Sequence, residues 1–82
     1  MGKAKIIRLL LVEQGNISEA ELARRLVTAG LPTMSPQNFS QKMKRETFSD
    51  EELCKIAEVM DAEYFVEHRE GFRLKDGKII EG

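Results

Sequence analysis

Ser35-Pro36-Gln37-Asn38-Phe39-Ser40-Gln41-Lys42-Met43-Lys44-Arg45 reads as a short helix with an apolar underside and a polar outer face. Ser35 is suited to accept from the first free backbone N–H groups, and Pro36 fits the first helical position, where a missing N–H costs nothing. At about 100° per residue, Phe39 and Met43 fall on one side. Gln37, Gln41, Lys44 and Arg45 fall on the other, with Asn38 and Ser40 at its flanks. The outer face has amides and cations and no carboxylate. Asn and Gln set a donor beside an acceptor, which matches the adenine edge in the DNA major groove, and Lys or Arg suit guanine or phosphate. An ordinary solvated helix face looks similar, so the surrounding chain has to decide.

Upstream, Ser18-Glu19-Ala20-Glu21 is a capping box that opens an apolar stripe of Leu22, Ala23 and Leu26, predicting a helix over about 19–29. The stripe can run on through Val27 and Ala29 to a glycine stop at Gly30, with Pro32 preventing resumption. Ile6, Ile7, Leu10 and Leu11 predict a helix over about 3–14, stopped by Gly15. Downstream, Ser49-Asp50-Glu51-Glu52 is a second capping box, and Leu53, Ile56, Ala57 and Met60 predict a helix over about 50–60. From Tyr64 the texture becomes β-prone, and Asp76-Gly77 is a turn pair, so a C-terminal hairpin is expected over about 64–80. A two-residue loop would set Leu74 opposite Ile79 and Lys75 opposite Lys78. So small a sheet must pack on the helices or pair with another chain, and dimerisation through it is expected. The fold class is therefore mostly α: four helices with a helix-turn-helix and a C-terminal β-hairpin, in one domain over 1–82.

The chain has 82 residues, 41% apolar and 33% charged, enough for one small core. Its net charge of −1 conceals a division. Residues 1–45 hold eight cations against three carboxylates, a net +5, whereas residues 46–82 hold five against eleven, a net −6. A basic docking face backed by an acidic, solubilising side gives such a pattern. No run reaches the roughly 18 apolar residues of a membrane span, and the opening Met1-Gly2-Lys3-Ala4-Lys5-Ile6 lacks the Ser or Thr of a myristoylation signal. A cytoplasmic protein without lipid anchor is expected. Cys54 has no second cysteine to pair with, and one Cys with one His, His68, does not make a zinc site, so no metal or cofactor is implied. Cys54 sits beside an apolar stripe and is expected to be half-buried packing. His68 has no carboxylate or cysteine placed with it by any motif, and no phosphate-binding glycine loop occurs, so neither an enzyme nor a small-molecule substrate is expected. The acidic run Asp50-Glu51-Glu52 is better explained by the dipole of the helix it opens.

Two consecutive capped helices, the second amide-rich and basic outside, are what a helix-turn-helix requires. Residues Ile17 to Leu26 followed by Met34 to Arg45 resemble the phage repressor and Cro-type (XRE) helix-turn-helix family. Thr47-Phe48-Ser49-Asp50-Glu51-Glu52-Leu53 and the Leu74-Lys75-Asp76-Gly77 hairpin resemble small bacterial members, so the similarity covers nearly the whole chain. The resemblance implies that helix 36–45 enters the major groove of double-stranded DNA, that helix 19–29 crosses above it, and that homodimers recognise repeated half-sites. It places Ser35, Gln37, Asn38, Gln41 and Lys42 toward DNA, with Lys44 and Arg45 toward phosphates. Ser40 flanks the same face, Arg24 or Arg25 are further phosphate candidates, and Lys42, near the buried flank, would have to snorkel.

Two features depart from the family. Glu19 stands where the family usually has a glutamine aimed at the phosphate backbone, and a carboxylate there repels DNA. Val27 to Thr33 replaces a tight glycine turn, so either helix 19–29 gains a turn or the insertion loops out and itself approaches DNA or a partner. The expected function is sequence-specific DNA binding by a small bacterial or phage-type transcriptional regulator. The alternative is a protein-interaction module, an antitoxin or phage-type accessory protein, on the same scaffold.

Overall fold

A computed structural model describes residues 2–81. Met1 and Gly82, the ends of the expected single unit, lie outside the described residues. Four helices, α1 (Lys3–Glu13), α2 (Glu19–Thr28), α3 (Pro36–Arg45) and α4 (Asp50–Val59), precede strands β1 (Ala62–Val66), β2 (Glu70–Leu74) and β3 (Ile79–Glu81). The strands form one antiparallel sheet in the order β1-β2-β3. The architecture is thus mostly α with a C-terminal sheet, as the periodicities predict, and the hairpin proves to be the second half of a three-stranded meander.

Three helix starts are specified by serine. The hydroxyls of Ser18, Ser35 and Ser49 accept from the N–H groups of Glu21, Asn38 and Glu52, each three residues on. Only α4 has the complete reciprocal box, with the Glu52 carboxylate accepting from Ser49 N–H at 2.9 Å. Helix α1 starts at Gly2 and has no local side-chain cap. Its Ala4 N–H donates instead to the carboxylate of Glu46, 42 residues away, at 3.2 Å. A Cβ added to Gly2 would collide with that same carboxylate.

The seven residues from Ala29 to Ser35 resolve the question posed by the longer connection. Helix α2 takes in Val27 and Thr28, caps at Ala29 and stops there, and the rest of the insertion forms the loop. Gly30 takes φ 107°, Leu31 N–H donates to Leu26 C=O at 3.0 Å and Gly30 N–H to Val27 C=O at 3.1 Å, a Schellman stop that folds Leu31 back onto the core. A turn through Pro32 and Thr33 follows, closed by Met34 N–H on Leu31 C=O at 3.0 Å. Val27 and Ala29 are consequently exposed, and the apolar stripe of α2 ends at Leu26.

One core serves the whole unit. Ile6, Ile7 and Leu10 from α1, Leu22 and Leu26 from α2, Phe39 from α3, Leu53 and Ile56 from α4, and Phe72 from β2 are fully enclosed, as is Met34 from the loop that joins α2 to α3. Phe39 meets Phe48 with ring centroids 5.5 Å apart and planes tilted by 58°, an arrangement that adds about 0.5–1.5 kcal/mol to burial. This contact fixes the underside of α3.

The register of the hairpin differs from the expected one. Leu74 N–H donates to Lys78 C=O at 2.8 Å and Gly77 N–H to Leu74 C=O at 3.0 Å, with Gly77 at φ 92°. The loop therefore holds three residues, Lys75 to Gly77, and the ladder shifts by one, pairing Arg73 with Ile79 and Phe72 with Ile80. The Asp76 carboxylate, accepting from Lys78 N–H at 3.0 Å, favours this longer loop. Burial enforces it, because it turns Ile80 inward (5% exposed) and Ile79 outward (44%). Lys75 and Lys78 are not opposed; they reach Asp61 at 2.9 Å and Glu13 at 2.6 Å. Cys54 is another correction, being exposed on α4 and not half-buried.

Candidate nucleic-acid interface

Phe39 and Met43 anchor α3 by its underside, and this rotation leaves Gln37, Ser40, Gln41, Lys44 and Arg45 exposed. Among the described residues, none of these five side chains has a hydrogen-bond or ion-pair partner. Lys42, Lys44 and Arg45 fall in the last turn of α3, where cations offset the negative end of the helix dipole. The first turn has no acidic residue, so the positive end remains uncompensated. An outward row of amides, flanked by cations and headed by free N–H character, can hydrogen-bond base edges and attract phosphate.

Other candidates are engaged within the protein. Asn38 donates through Nδ2 to Thr33 C=O at 2.9 Å, which fastens the inter-helix loop to the first turn of α3 and leaves its amide oxygen and one Nδ2 hydrogen for a ligand. Ser35 spends its hydroxyl oxygen on the cap, 3.4 Å from Asn38 N–H, and keeps its own proton to donate. Lys42 does not face outward. Its half-buried ammonium pairs with Glu52 Oε2 at 3.1 Å and ties α3 to the start of α4. Partial burial pushes the Glu52 carboxyl up, but the Ser49 N–H and the Lys42 ammonium outweigh it and hold the group below its ordinary range. Thr33, Asn38, Gln41, Lys42, Arg45, Thr47 and Glu52 line one shallow cleft of about 340 Å³ along this flank.

On α2, Arg24 and Arg25 share the carboxylate of Glu21, at 3.1 and 3.2 Å. Hydrogen bonds from Arg24 and then Arg25 keep Glu21 below its ordinary range. These are exposed pairs, which contribute little and exchange readily for another anion. Glu19 lies 3.6 Å from Arg8 Nε, so its charge is partly answered by α1. Among the described residues, no group of His, Cys, Asp and Glu is placed to hold a metal ion.

Compared with models of known protein families, with curated proteins and with solved structures, the chain matches none. Its surface chemistry has to speak for its function.

Sequence reasoning passed over Lys3 and Lys5. Lys3 Nζ donates to Phe48 C=O at 2.9 Å, and Lys5 is exposed on α1. The available signal was the absence of any acidic residue before Glu13. That Lys3 stands beside the end of α3 depends on a long-range contact that no local pattern carries.

Proposed function

We propose that the protein is a small DNA-binding regulator that places α3 in the major groove and works by occupancy, without catalysis. The observation that carries this reading is the row Gln37, Gln41, Lys44 and Arg45, fixed from beneath and free of intramolecular partners on an acid-free helix face. Gln37 and Gln41 read base edges, with Ser35, Asn38 and Ser40 beside them. Lys44 and Arg45 hold phosphates, and Arg24 and Arg25 exchange Glu21 for phosphate when DNA approaches. Lys42 serves the packing of α3 and supplies only a background field. The resemblance to the repressor and Cro-type family points the same way.

The molecule measures 29 Å along its longest axis, less than the about 34 Å between successive half-sites on one face of DNA. One copy therefore reads one half-site, and the reading includes a homodimer joined through the C-terminal sheet, where the short edge strand β3 exposes Ile79. No helix among the described residues is long and apolar enough to cross a membrane, and a cytoplasmic location goes with the proposed role. The second reading, a protein-interaction module, is favoured by exposed Leu9 and Val12 on the outer side of α1, away from α3.

Selection from a random duplex pool, followed by sequencing, tests the proposal. The wild type is expected to enrich a repeated motif that disappears with Gln37→Ala plus Gln41→Ala at the same salt. Each lost base contact removes about 1–3 kcal/mol of discrimination. An absence of any enriched motif, even at salt low enough to favour phosphate contacts, rejects the proposal in favour of a protein partner.

A further inference from the structure

Most cations of this protein are neutralised internally. Of its thirteen Lys and Arg residues, nine form ion pairs with carboxylates. Among the described residues, the four without such a partner are Lys3, Lys5, Lys44 and Arg45. They lie on two helix ends that meet, the first turn of α1 and the last turn of α3. Ala4 N–H donates to Glu46 Oε1 at 3.2 Å and Lys3 Nζ to Phe48 C=O at 2.9 Å, so the start of α1 abuts the end of α3.

The carboxylate that joins the two helix ends is Glu46, at the C-cap of α3. Its Oε1 is turned onto the first turn of α1, where the positive end of the helix dipole answers its charge. Lys42 and Glu52 cancel as a pair on this flank, and the four unpaired cations with Glu46 then sum to +3. The backbone N–H of Ala4 is already taken by Glu46, and the contacts proposed here are those of the side-chain ammonium and guanidinium groups. Lys3 uses one of its three donors on Phe48, which orients the ammonium and leaves two free. Lys5, one residue beyond Ala4, is exposed.

We propose that Lys3, Lys5, Lys44 and Arg45 form a clamp for the sugar-phosphate backbone of duplex DNA, which continues the interface from α3 onto α1. The inference rests on the proposed docking of α3 and adds a second element to it. With Gln37 and Gln41 in the groove, the C-terminal cations of α3 meet the strand bordering that groove, and α1 follows the same strand. Such contacts add affinity and fix orientation without reading sequence.

The test is fluorescence anisotropy with a labelled mixed-sequence duplex about two helical turns long, over a series of salt concentrations. Each phosphate contact contributes about 0.9 to the slope of log K against log salt. Lys3→Gln plus Lys5→Gln is expected to flatten the wild-type slope by about 1–2, as is Lys44→Gln plus Arg45→Gln. Lys5→Gln alone, which removes no internal contact, is expected to flatten it by about 1 with unchanged thermal unfolding. Lys5→Arg is expected to keep the wild-type slope. If the α3 double variant flattens the slope while the lysine variants leave it unchanged, the clamp is wrong and the docking of α3 stands. If the wild type does not bind the duplex with a salt-dependent slope, the docking of α3 fails and the clamp with it.

Discussion

Helices α3 and α4 are both ten residues long and both open on a capping serine, yet they are built to different ends. The first turn of α4 has three carboxylates, Asp50, Glu51 and Glu52, and a complete reciprocal cap. That is what a helix needs for its own stability. The first turn of α3 has no acid, and its third residue, Asn38, reaches past the cap to Thr33. Helix α3 thus leaves its positive end uncompensated and its outer side chains unpartnered. Both undersides are apolar, with Phe39 and Met43 buried in α3 and Leu53, Ile56 and Ala57 in α4, so the difference in purpose lies in what each helix shows to its surroundings. Under the proposed docking, an external anion would supply the stabilisation that this surface forgoes.

Truncating the undersides should abolish the distinction. Phe39→Ala is expected to cost about 3–5 kcal/mol and Ile56→Ala about 2–5 kcal/mol in denaturant unfolding. A much smaller loss for Phe39 would mean that α3 is not anchored from beneath as its enclosed ring indicates.

Giving α3 the acidic start of α4 should separate stability from binding. Gln37→Glu is expected to weaken duplex binding roughly tenfold or more, through loss of one base contact and added repulsion. It is expected to stabilise the fold by about 0.3–1 kcal/mol through the helix dipole. Unfolding and anisotropy on the same variant check the two signs, and unimpaired binding would remove the functional reason for the acid-free face.

The caps offer a finer comparison. Ser35→Ala and Ser49→Ala should each cost about 1 kcal/mol in thermal or denaturant unfolding, with Ser49 the costlier because its hydroxyl accepts at 3.1 Å against 3.4 Å for Ser35. Equal costs would show that the cap of α3 is as complete as that of α4.

The weakest expected effect is acidic. Glu52 is held below its ordinary value of 4.5, so its stabilisation is complete above that pH and disappears as the pH falls through the lowered value. Unfolding titrations should show an acid limb of less than about 1 kcal/mol that is missing in Glu52→Gln. An unchanged limb would assign acid sensitivity to other carboxylates.

Much of the fold was legible because it is written locally. Ser18, Ser35 and Ser49 mark the three helix starts they cap, and the apolar spacings pick out the enclosed residues of all four helices. The hairpin loop is one residue longer than the turn pair predicts. Asp76-Gly77 is compatible with loops of two or three residues, and the choice falls to whether Ile79 or Ile80 enters the core. Cys54 was misjudged because it lies on the border of a helical stripe, where only the neighbouring elements decide exposure. The candidate surface was visible as an amide and cation pattern on α3, but the internal engagements of Asn38 and Lys42 were not.

By itself, the sequence determined four helices, their caps, a C-terminal β segment and an acid-free polar face on the third helix, since each follows from neighbours within a few turns of chain. The tertiary structure alone decided the strand register, the capping of α1 by Glu46 and which cations remain unpaired. Those depend on groups far apart in the chain, Ala4 with Glu46, Lys3 with Phe48 and Lys78 with Glu13, whose meeting is set by how the shared core closes.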